Sequence, residues 1–413
     1  MELSHTSKRK IFNDPIYGFI TIPNDLVFDL IEHPYFQRLR RITQLGLSNI
    51  VYTGANHTRF QHTLGAMHLM TRAIDTLRYK GNEITDEEAQ GAIIAILLHD
   101  IGHGPYSHTL EFSLVKGVGH EHISTLFMDE LNRQFDGQLS LAIEIFKGTY
   151  HKKFLHQLVS SQLDTDRLDY LKRDSFFTGV SEGVIGSERI ITMLNVANGD
   201  IAVEAKGIYS IEKFLVARRI MYWQVYLHKT VLAAEMLLIN ILKRAKDLAL
   251  DKQMLFGSHA LKEFLYNDHT RHDFKSNPNL LNTFAQLDDY DIMGAIKVWA
   301  NNPDFILSTL CQQLINRNLF KVEISKEPFS NDVMNEKLDF ITNKMNLSSR
   351  EEAEYFVFTD RVINRAYSQG ADHINILFKD GTVKDVTEAA DLLNISVLSK
   401  PVTKYFFCYP KII

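Results

Sequence analysis

Cysteine is scarce in this chain, and its scarcity excludes two classes of protein. The 413 residues include two cysteines, Cys311 and Cys408, which lie far apart and lack the close spacing of metal-binding pairs. We therefore expect neither a disulfide framework nor a zinc ribbon. Such cysteine usage fits a reducing compartment, and we predict a cytoplasmic protein.

The chain also lacks long apolar runs and an excess of positive charge. Its first residues, MELSHTSKRKIF, contain no apolar signal core, and the apolar run from Ile93 to Leu98 is too short to cross a bilayer. The net charge of −5 argues against a general electrostatic binder of nucleic acids, although a local basic channel is compatible with it. We predict a soluble protein that does not enter a membrane.

Helical periodicity dominates the chain up to about residue 318, and strand-like segments follow it. The fold is therefore predicted to be mainly α, with residues 1–318 as a helical domain that includes an N-terminal regulatory segment. Residues 319–413 are predicted to form a small C-terminal α+β region with a structural, oligomeric or regulatory role. Four smaller features are expected: a hairpin within 1–23, one acid-rich helix over 155–174, a second hairpin within 179–205, and a long helix with room for one break over 211–247.

The most informative stretch is GAIIAILLHDIGHGPYSH, residues 91–108. An apolar run that is typical of a buried helix ends in His99 and Asp100, and a buried ionisable pair is costly unless it binds a metal or is fully paired. The glycines and the proline that follow allow His103 and His108 to turn back towards the same space. Taken alone, the stretch also fits a buried His–Asp hydrogen bond with two incidental loop histidines.

Two other helices supply further ionisable side chains. Arg59 and His62 are three residues apart near the start of one helix and share a face. On the acid-rich helix, Asp166, Tyr170 and Asp174 lie four apart and form a stripe. Periodicity alone allows Asp169 as well as Asp166 to act with the histidines. The acids could simply form ion pairs with neighbouring arginines and lysines. Alternatively, their alignment on one face of the helix would serve to bind a metal or a polar substrate.

Together these side chains suit a metal-dependent reaction on a phosphate. Two histidines and two carboxylates, without sulfur, favour iron, manganese, nickel or zinc, and such an ion can activate water. A polyphosphate also requires cations around the metal. The candidates are Arg59, His103, His108, His120 and Arg167.

Several segments occur in the order found in a known enzyme family. They are KIFNDPIYG, FQRLRRITQLG, NHTRFQHTLG, HDIGHGPYSH, DTDRLDYLKRD and, further along, YLHKT. The pattern of His62, His99-Asp100 and Asp166 resembles the signature of the HD-domain phosphohydrolases, an all-helical metal-dependent superfamily. More narrowly, the segments are similar to the deoxynucleoside triphosphate (dNTP) triphosphohydrolases, including the vertebrate members that carry a SAM domain. The resemblance implies an HD-domain helical core and is continuous over residues 10–174.

The resemblance also implies a role for individual residues. The metal ligands would be His62, His99, Asp100 and Asp166. The substrate-binding residues would be Gln44, Leu45, Arg59, His103, Arg167, Tyr170, Asp174, Arg218 and Tyr226. In this set, Gln44 and Asp174 bond the 3′-hydroxyl and Leu45 and Tyr226 crowd the 2′ position, while the three arginines and His103 contact phosphates. The general acid would be His120, oriented by Glu111, with His108 nearby.

The implied reaction is attack by metal-activated water on the α-phosphorus, which releases a deoxynucleoside and inorganic triphosphate, with magnesium as a further ion on the nucleotide phosphates. Members of the family are often active as homo-oligomers, here a dimer or tetramer, with an activating nucleotide between subunits. The matching positions are Lys10, Asn13, Glu32 and Arg40. The chain departs from the vertebrate pattern at four places: Tyr17 for His, Glu32 for Asp, Glu111 for Asp and Arg167 for Lys.

Two alternatives remain open at this point. One is an HD phosphohydrolase that acts on another nucleotide, namely a monophosphate, a cyclic nucleotide or an alarmone. The other is a catalytically idle protein that binds nucleotides or single-stranded nucleic acid.

Overall fold

The computed structural model describes residues 10–106, 115, 117–364, 367–368, 373–391, 395 and 400–411. Two residues with predicted catalytic roles, His108 and Glu111, lie outside the described residues. Helices make up most of the described chain, and the strands form small sheets. The predicted mainly α fold with small β-elements is therefore confirmed.

The predicted N-terminal hairpin is present. Strand β1 (Ile11–Asp14) pairs antiparallel with β2 (Gly18–Thr21). The Asp14 carboxylate closes the turn, because its Oδ1 accepts hydrogen bonds from the backbone N–H groups of Ile16 at 2.9 Å and Tyr17 at 3.0 Å. An aspartate that accepts from residues two and three further on is a common turn-former.

Pro34 divides the next helical segment, as its sequence suggests, but the second part is short. Helix α1 spans Asp25–Glu32, and α2 spans only Pro34–Gln37 before a 3-10 turn starts at Arg38. The Arg38 side chain is fully buried and donates a hydrogen bond of 2.7 Å to the carbonyl oxygen of Ile101. This tertiary contact fixes the chain at the point where α2 gives way to the 3-10 turn.

Two helices form the centre of the fold. Helix α3 spans Arg59–Tyr79 and α4 spans Asp86–Leu98. Helix α4 begins at a capping box, in which the Thr85 hydroxyl accepts from the N–H of Glu88 and the Glu88 carboxylate accepts from the N–H of Thr85. Every residue over 91–98 is buried, as expected of a helix that is apolar on all sides.

The helix predicted over residues 155–174 is wrong in its boundaries, because two helices occupy that segment. After α5 (His120–Gln134) and α6 (Ser140–Phe146), the chain forms α7 (Lys153–Val159) and then α8 (Thr165–Thr178). The break ends at Asp164, whose carboxylate caps α8 by accepting a 2.7 Å hydrogen bond from the N–H of Arg167. A short side chain that bonds nearby backbone competes with a continuous helix.

The second predicted hairpin and the broken long helix are also present. The chain continues through α9 (Ser187–Met193), the antiparallel strands β3 (Leu194–Ala197) and β4 (Asp200–Glu204), α10 (Ile208–Met221), a π-helical turn (Tyr222–Tyr226) and α11 (Lys229–Leu250). Among the described residues no single helix is long and apolar enough to cross a membrane. The bent pair Ala205–Tyr226 and Lys229–Leu250 meets those limits together, with 56° between its parts.

The rest of the chain is helical and then mixed. The helices are α12 (His259–Tyr266), α13 (Arg271–Ser276), α14 (Pro278–Phe284), α15 (Asp289–Trp299), α16 (Phe305–Ile315), α17 (Asn331–Lys344), α18 (Arg350–Ala353) and α19 (Val386–Ala389). The strands are β5 (Lys321–Ser325), β6 (Phe358–Asn364), β7 (Asn375–Leu377), β8 (Val383–Asp385) and β9 (Val402–Tyr409). Strands β5, β9 and β6 form one antiparallel sheet, whereas β7 joins β4 in parallel. A strand of the C-terminal region therefore completes a sheet of the helical region, and one apolar core includes residues of both.

Candidate active site

Three side chains from different helices bring potential ligand atoms together in the core. His62 lies on α3, His99 directly follows α4, and Asp166 lies in the first turn of α8. Asp166 Oδ1 is 3.1 Å from His62 Nε2 and 3.5 Å from His99 Nε2. The three ligand atoms all lie within 4.8 Å of one another, a spacing that suits one metal ion.

The hydrogen bonds of the two histidines leave their Nε2 atoms for an ion. Nδ1 of His62 is 2.8 Å from Asp169 Oδ2, and Nδ1 of His99 is 2.6 Å from the carbonyl oxygen of Ile96. These acceptors place the proton of each neutral ring on Nδ1 and a lone pair on Nε2. Both Nε2 atoms are buried, and within the described chain neither has a partner in hydrogen-bonding geometry. Buried nitrogen lone pairs beside an aspartate fit a divalent metal.

Asp100, the fourth predicted ligand, lies beside this group. Its Oδ1 is 3.3 Å from His99 Nε2 and 3.3 Å from His103 Nε2. Its Oδ2 is 3.8 Å from His62 Nε2 and accepts a hydrogen bond from Arg59 Nη1. The structure therefore brings Asp100 next to these three side chains, which we call the metal-ligand group, while Asp100 also contacts Arg59 and His103.

Burial and opposite charge set the ionisation of this group. Burial disfavours the charged form of His62, but the adjacent carboxylates of Asp166 and Asp169 outweigh it and raise the pKa of His62 to about 10. Burial likewise opposes the charge of Asp166, yet His62 and His99 lower the pKa of its carboxyl below the ordinary value. The carboxylate is thus ionised at neutral pH, and a proton competes with a cation for the His62 ring.

A chain of buried ion pairs connects His62 to the N-terminal hairpin. Asp169 bonds His62 and accepts from Arg173 Nε at 2.9 Å and Nη2 at 3.0 Å, and Arg173 Nη1 donates to Asp14 Oδ2 at 2.8 Å. The contact needs a glycine at position 65, because a Cβ on Gly65 would lie 2.0 Å from Asp169 Oδ1. Asp169, one of the two acids that periodicity allowed, therefore holds the ring of His62 from the side opposite Asp166.

The loop after α4 is anchored against the start of α5. Ser124 Oγ donates to the carbonyl oxygen of His99 at 2.7 Å and accepts from the N–H of Gly102 at 2.9 Å. A Cβ on Gly102 would lie 2.2 Å from the backbone nitrogen of Ser124, so only glycine allows this approach. As a result the rings of His103 and His120 stack, with centroids 3.9 Å apart.

A cavity of about 730 Å³ opens beside the metal-ligand group, a volume within the range of sites for small molecules. The side chains of the predicted stripe on α8 all face it. The predicted site residues that line the cavity are Gln44, Leu45, Arg59, Asp100, His103, His120, Asp166, Tyr170, Asp174 and Tyr226.

Asp174 organises one wall of the cavity. It accepts hydrogen bonds from the hydroxyl of Tyr226 at 2.8 Å and from His57 Nε2 at 2.7 Å. The His57 ring in turn stacks on Phe177, with centroids 4.5 Å apart. His57 was missed by the sequence analysis, although it belongs to the NHTRFQHTLG segment that carries His62.

Two predicted phosphate-binding arginines, Arg167 and Arg218, are not among the residues that line the cavity, but both have buried donor atoms without a partner in the described chain. Arg218 is 9% exposed, and its Nε and Nη1 atoms have no hydrogen-bond partner among the described residues. Arg167 pairs with Asp164 through Nη1, while its Nε has no partner in that part of the chain. Tyr170, between them, has a pKa raised mainly by burial, and the charges of both arginines act to lower it. A buried guanidinium with free donors fits an anionic ligand.

Two further acids that line the cavity, Glu235 and Asp360, were missed by the sequence analysis. Glu235 lies on α11, where helical periodicity gives no sign that the residue faces a cavity. Asp360 lies on β6, in the C-terminal region for which no site residue was predicted. That region therefore supplies part of the cavity wall.

The four residues predicted to contact an activator are exposed. Lys10 Nζ lies 2.9 Å from the centroid of the Phe28 ring, and Arg40 lies over Phe60. Burial lowers the pKa of Arg40, while the charge of Glu32 opposes that shift, so the two side chains are neighbours. Asn13 lies on β1.

Two family models match parts of the chain. The HD domain matches residues 59–174, which include all four predicted ligands, and the HD associated region matches residues 185–264.

Two similar proteins match nearly the whole chain, and a third matches part of it. A phosphohydrolase from Bacteroides thetaiotaomicron, known from a crystal structure, is 57% identical in sequence to this chain and matches its fold with a TM-score of 0.95. The match covers 98% of this chain and 100% of that protein's chain. An uncharacterized protein of Bacillus subtilis is 32% identical over 98% of this chain and 93% of its own length. A Dictyostelium discoideum protein named as a SAMHD1 homolog, a deoxynucleoside triphosphate triphosphohydrolase, is 30% identical over 59% of this chain and 51% of its own length.

Proposed function

This chain belongs to the HD-domain phosphohydrolases, and on that basis we propose that it hydrolyses dNTPs to a deoxynucleoside and inorganic triphosphate. The observation that carries the proposal is the continuity of one cavity. Asp166, a member of the metal-ligand group, and the adjacent Arg59 line this cavity. Gln44, Tyr170 and Tyr226 line the same cavity. A metal-dependent reaction centre and a wall suited to a nucleoside therefore belong to a single site.

The metal would be held by His62, His99, Asp100 and Asp166. A bound divalent transition metal, whether iron, manganese, nickel or zinc, would activate water and stabilise charge on a phosphoryl oxygen. Asp169 keeps the Nδ1 proton of His62 in place and so presents Nε2 to the ion.

The phosphates are assigned to the cationic side chains. Arg59 is fixed by its bond to Asp100, next to the metal-ligand group. Arg218 contributes two buried donors that are otherwise unsatisfied. Arg167 and His103 complete the set. Magnesium bound to the nucleotide phosphates would add to the positive charge of these side chains.

The deoxyribose is assigned to the wall that Asp174 organises. Gln44 Oε1 is buried without a partner among the described residues, and it is free to accept from a 3′-hydroxyl together with Asp174. Tyr226 is fixed by Asp174, so its ring cannot move away from a 2′-hydroxyl without breaking a hydrogen bond. With Leu45 it would reject ribonucleotides by steric clash.

The departing 5′-oxygen needs a proton when its bond to the α-phosphorus breaks. We assign this proton to His120, which lines the cavity and is held in place by its stacking on His103. The predicted partners His108 and Glu111 keep their proposed roles. Activation by a second nucleotide at Lys10, Asn13, Glu32 and Arg40 within a homo-oligomer is part of the same proposal.

Product analysis tests the proposal directly. The metal-reconstituted protein is incubated with each dNTP and each ribonucleotide, singly and in pairs, and the products are separated by chromatography. We expect a deoxynucleoside and inorganic triphosphate from dNTPs and no turnover of ribonucleotides. The Asp166→Ala variant, purified in the same way, controls for contaminating phosphatases. A monophosphate with pyrophosphate would contradict the proposed bond cleavage, and turnover of cyclic nucleotides or alarmones alone would favour another substrate.

A further inference from the structure

One carboxyl group faces the cavity without a partner. Glu235 has no hydrogen bond or ion pair to any described residue, and burial alone raises its pKa to about 7. Glu235 is partly buried on the cavity wall, and partial burial without a partner disfavours the charged carboxylate. An unpaired carboxyl on the wall of a binding cavity therefore indicates a ligand with N–H donors.

Glu235 lies next to the loop that is assigned to the sugar. Its Oε1 would lie 3.7 Å from a Cβ on Gly46, which directly follows Gln44 and Leu45. All four residues line the same cavity. A ligand whose sugar meets Gln44 and Leu45 would therefore have its adjoining group beside the Glu235 carboxyl.

The surroundings of the carboxyl are apolar. Three apolar residues also line the cavity: Met236 and Ile239 on α11, and Leu227 in the turn before it. A flat apolar ring with polar groups on its edge suits such a wall, because the ring packs on the aliphatic side chains and its edge meets the carboxyl. A nucleobase has this combination of properties.

We propose that Glu235 selects the base of the substrate, with guanine preferred and thymine disfavoured. Guanine presents two adjacent donors, N1–H and the N2 amino group, to the two oxygens of a carboxylate. Adenine and cytosine present one amino group. Thymine has no amino group, and carbonyl oxygens flank its N3–H. This inference rests on the proposed function, because it places the phosphates at the metal-ligand group.

The variant Glu235→Gln tests the assignment. It keeps the size of the side chain but replaces one acceptor oxygen with an amide that donates. We expect the ratio of kcat/KM for dGTP to that for dTTP to exceed one in the wild type and to fall at least tenfold in Glu235→Gln. Met236→Leu is the matched control, since it alters the adjacent wall without a polar change and is expected to shift all four dNTPs alike. Thermal unfolding of both variants shows that they fold.

A second measurement separates this inference from the proposed function. Calorimetry measures the affinity for deoxyguanosine and for thymidine, each in the presence of inorganic triphosphate. The ratio of the two affinities gives the base preference without any turnover. If no dNTP is hydrolysed, the proposed function is wrong, and the binding ratio alone decides the role of Glu235. A dG-to-dT ratio that is the same in the wild type and in Glu235→Gln, by turnover or by binding, overturns the inference.

Discussion

Two groups of buried charge lie side by side in this protein, and they differ in whether they have partners. In the paired group, Asp14, Arg173 and Asp169 satisfy one another and hold His62 from behind. In the unpaired group, two buried donor atoms of Arg218 have no hydrogen-bond partner among the described residues, and Glu235 lines the cavity with burial as the cause of its raised pKa. The first group stabilises the fold, whereas the second is left for a ligand to satisfy.

The difference gives opposite expectations for substitutions. Removing one member of a buried pair leaves the other uncompensated and destabilises strongly. Removing a buried charge that has no partner relieves a cost and lowers function instead, which is the usual trade-off at functional sites. Stability and activity measured together therefore distinguish the two groups.

The largest effect is expected for Asp166→Ala. Its Oδ1 lies within 3.5 Å of the Nε2 atoms of both ligand histidines, so its loss should abolish metal binding and turnover together. Metal content by mass spectrometry and product formation are the two measurements. Asp75→Ala, an exposed acid on α3, is the control and should retain both. Normal activity in Asp166→Ala would mean that another acid completes the site.

Asp166 also illustrates how much of the site the sequence could predict. Ordered motifs identified the helices and their ionisable residues, and periodicity identified the stripe of α8 that faces the cavity. Periodicity could not distinguish Asp166 from Asp169, because both lie near the same face of a helix. Which side of the His62 ring each acid meets depends on the packing of α8 on α3, where Gly65 allows the close approach.

The remaining differences have similar causes. The break before α8 depends on the Asp164 cap, a local hydrogen bond that competes with a pattern which otherwise continues through the segment. Glu235 and Asp360 reach the cavity only through the packing of distant elements, and no local spacing marks them. The sequence thus predicts elements and ligand types well, whereas contacts between elements decide which polar groups remain unpaired.

The next largest effect, on stability, is expected for Arg173→Met. The substitution leaves Asp169 and Asp14 buried without their common partner, so the free energy of unfolding should fall by about 3–5 kcal/mol. Urea denaturation of the metal-free protein measures it. Arg72→Met is the control, because Arg72 forms an exposed pair with Glu188 at 3.1 Å and should cost less than about 1 kcal/mol. Equal losses in the two variants would show that the buried ion pairs of Arg173 stabilise the fold no more than an exposed pair does.

Arg218→Met should show the opposite combination. Loss of charge-assisted hydrogen bonds to phosphate should lower kcat/KM for dNTPs by roughly 10- to 100-fold. The melting temperature should stay level or rise, since a buried guanidinium with two unsatisfied donors is removed. Lys213→Met, an exposed residue on the same helix, should change neither quantity. A marked loss of stability in Arg218→Met would place this arginine in the paired group.

Metal binding should also depend on pH. The pKa of His62 is raised from 6.5 to about 10 in the metal-free protein, so its ring holds a proton throughout the neutral range and must release it to bind an ion. Metal affinity should therefore rise with pH, by about tenfold per unit for one released proton, and level off near the pKa of His62. Calorimetry of Mn²⁺ binding in buffers of different ionisation enthalpy counts the protons released.

In Asp169→Asn the ring of His62 loses a charge that favours its protonation, so the pH dependence should level off at a lower pH. Affinity at high pH should also fall by roughly 10- to 100-fold, because the partner that orients the ring is weakened. A pH profile identical to that of the wild type would show that the paired charges do not act on the ligand they hold.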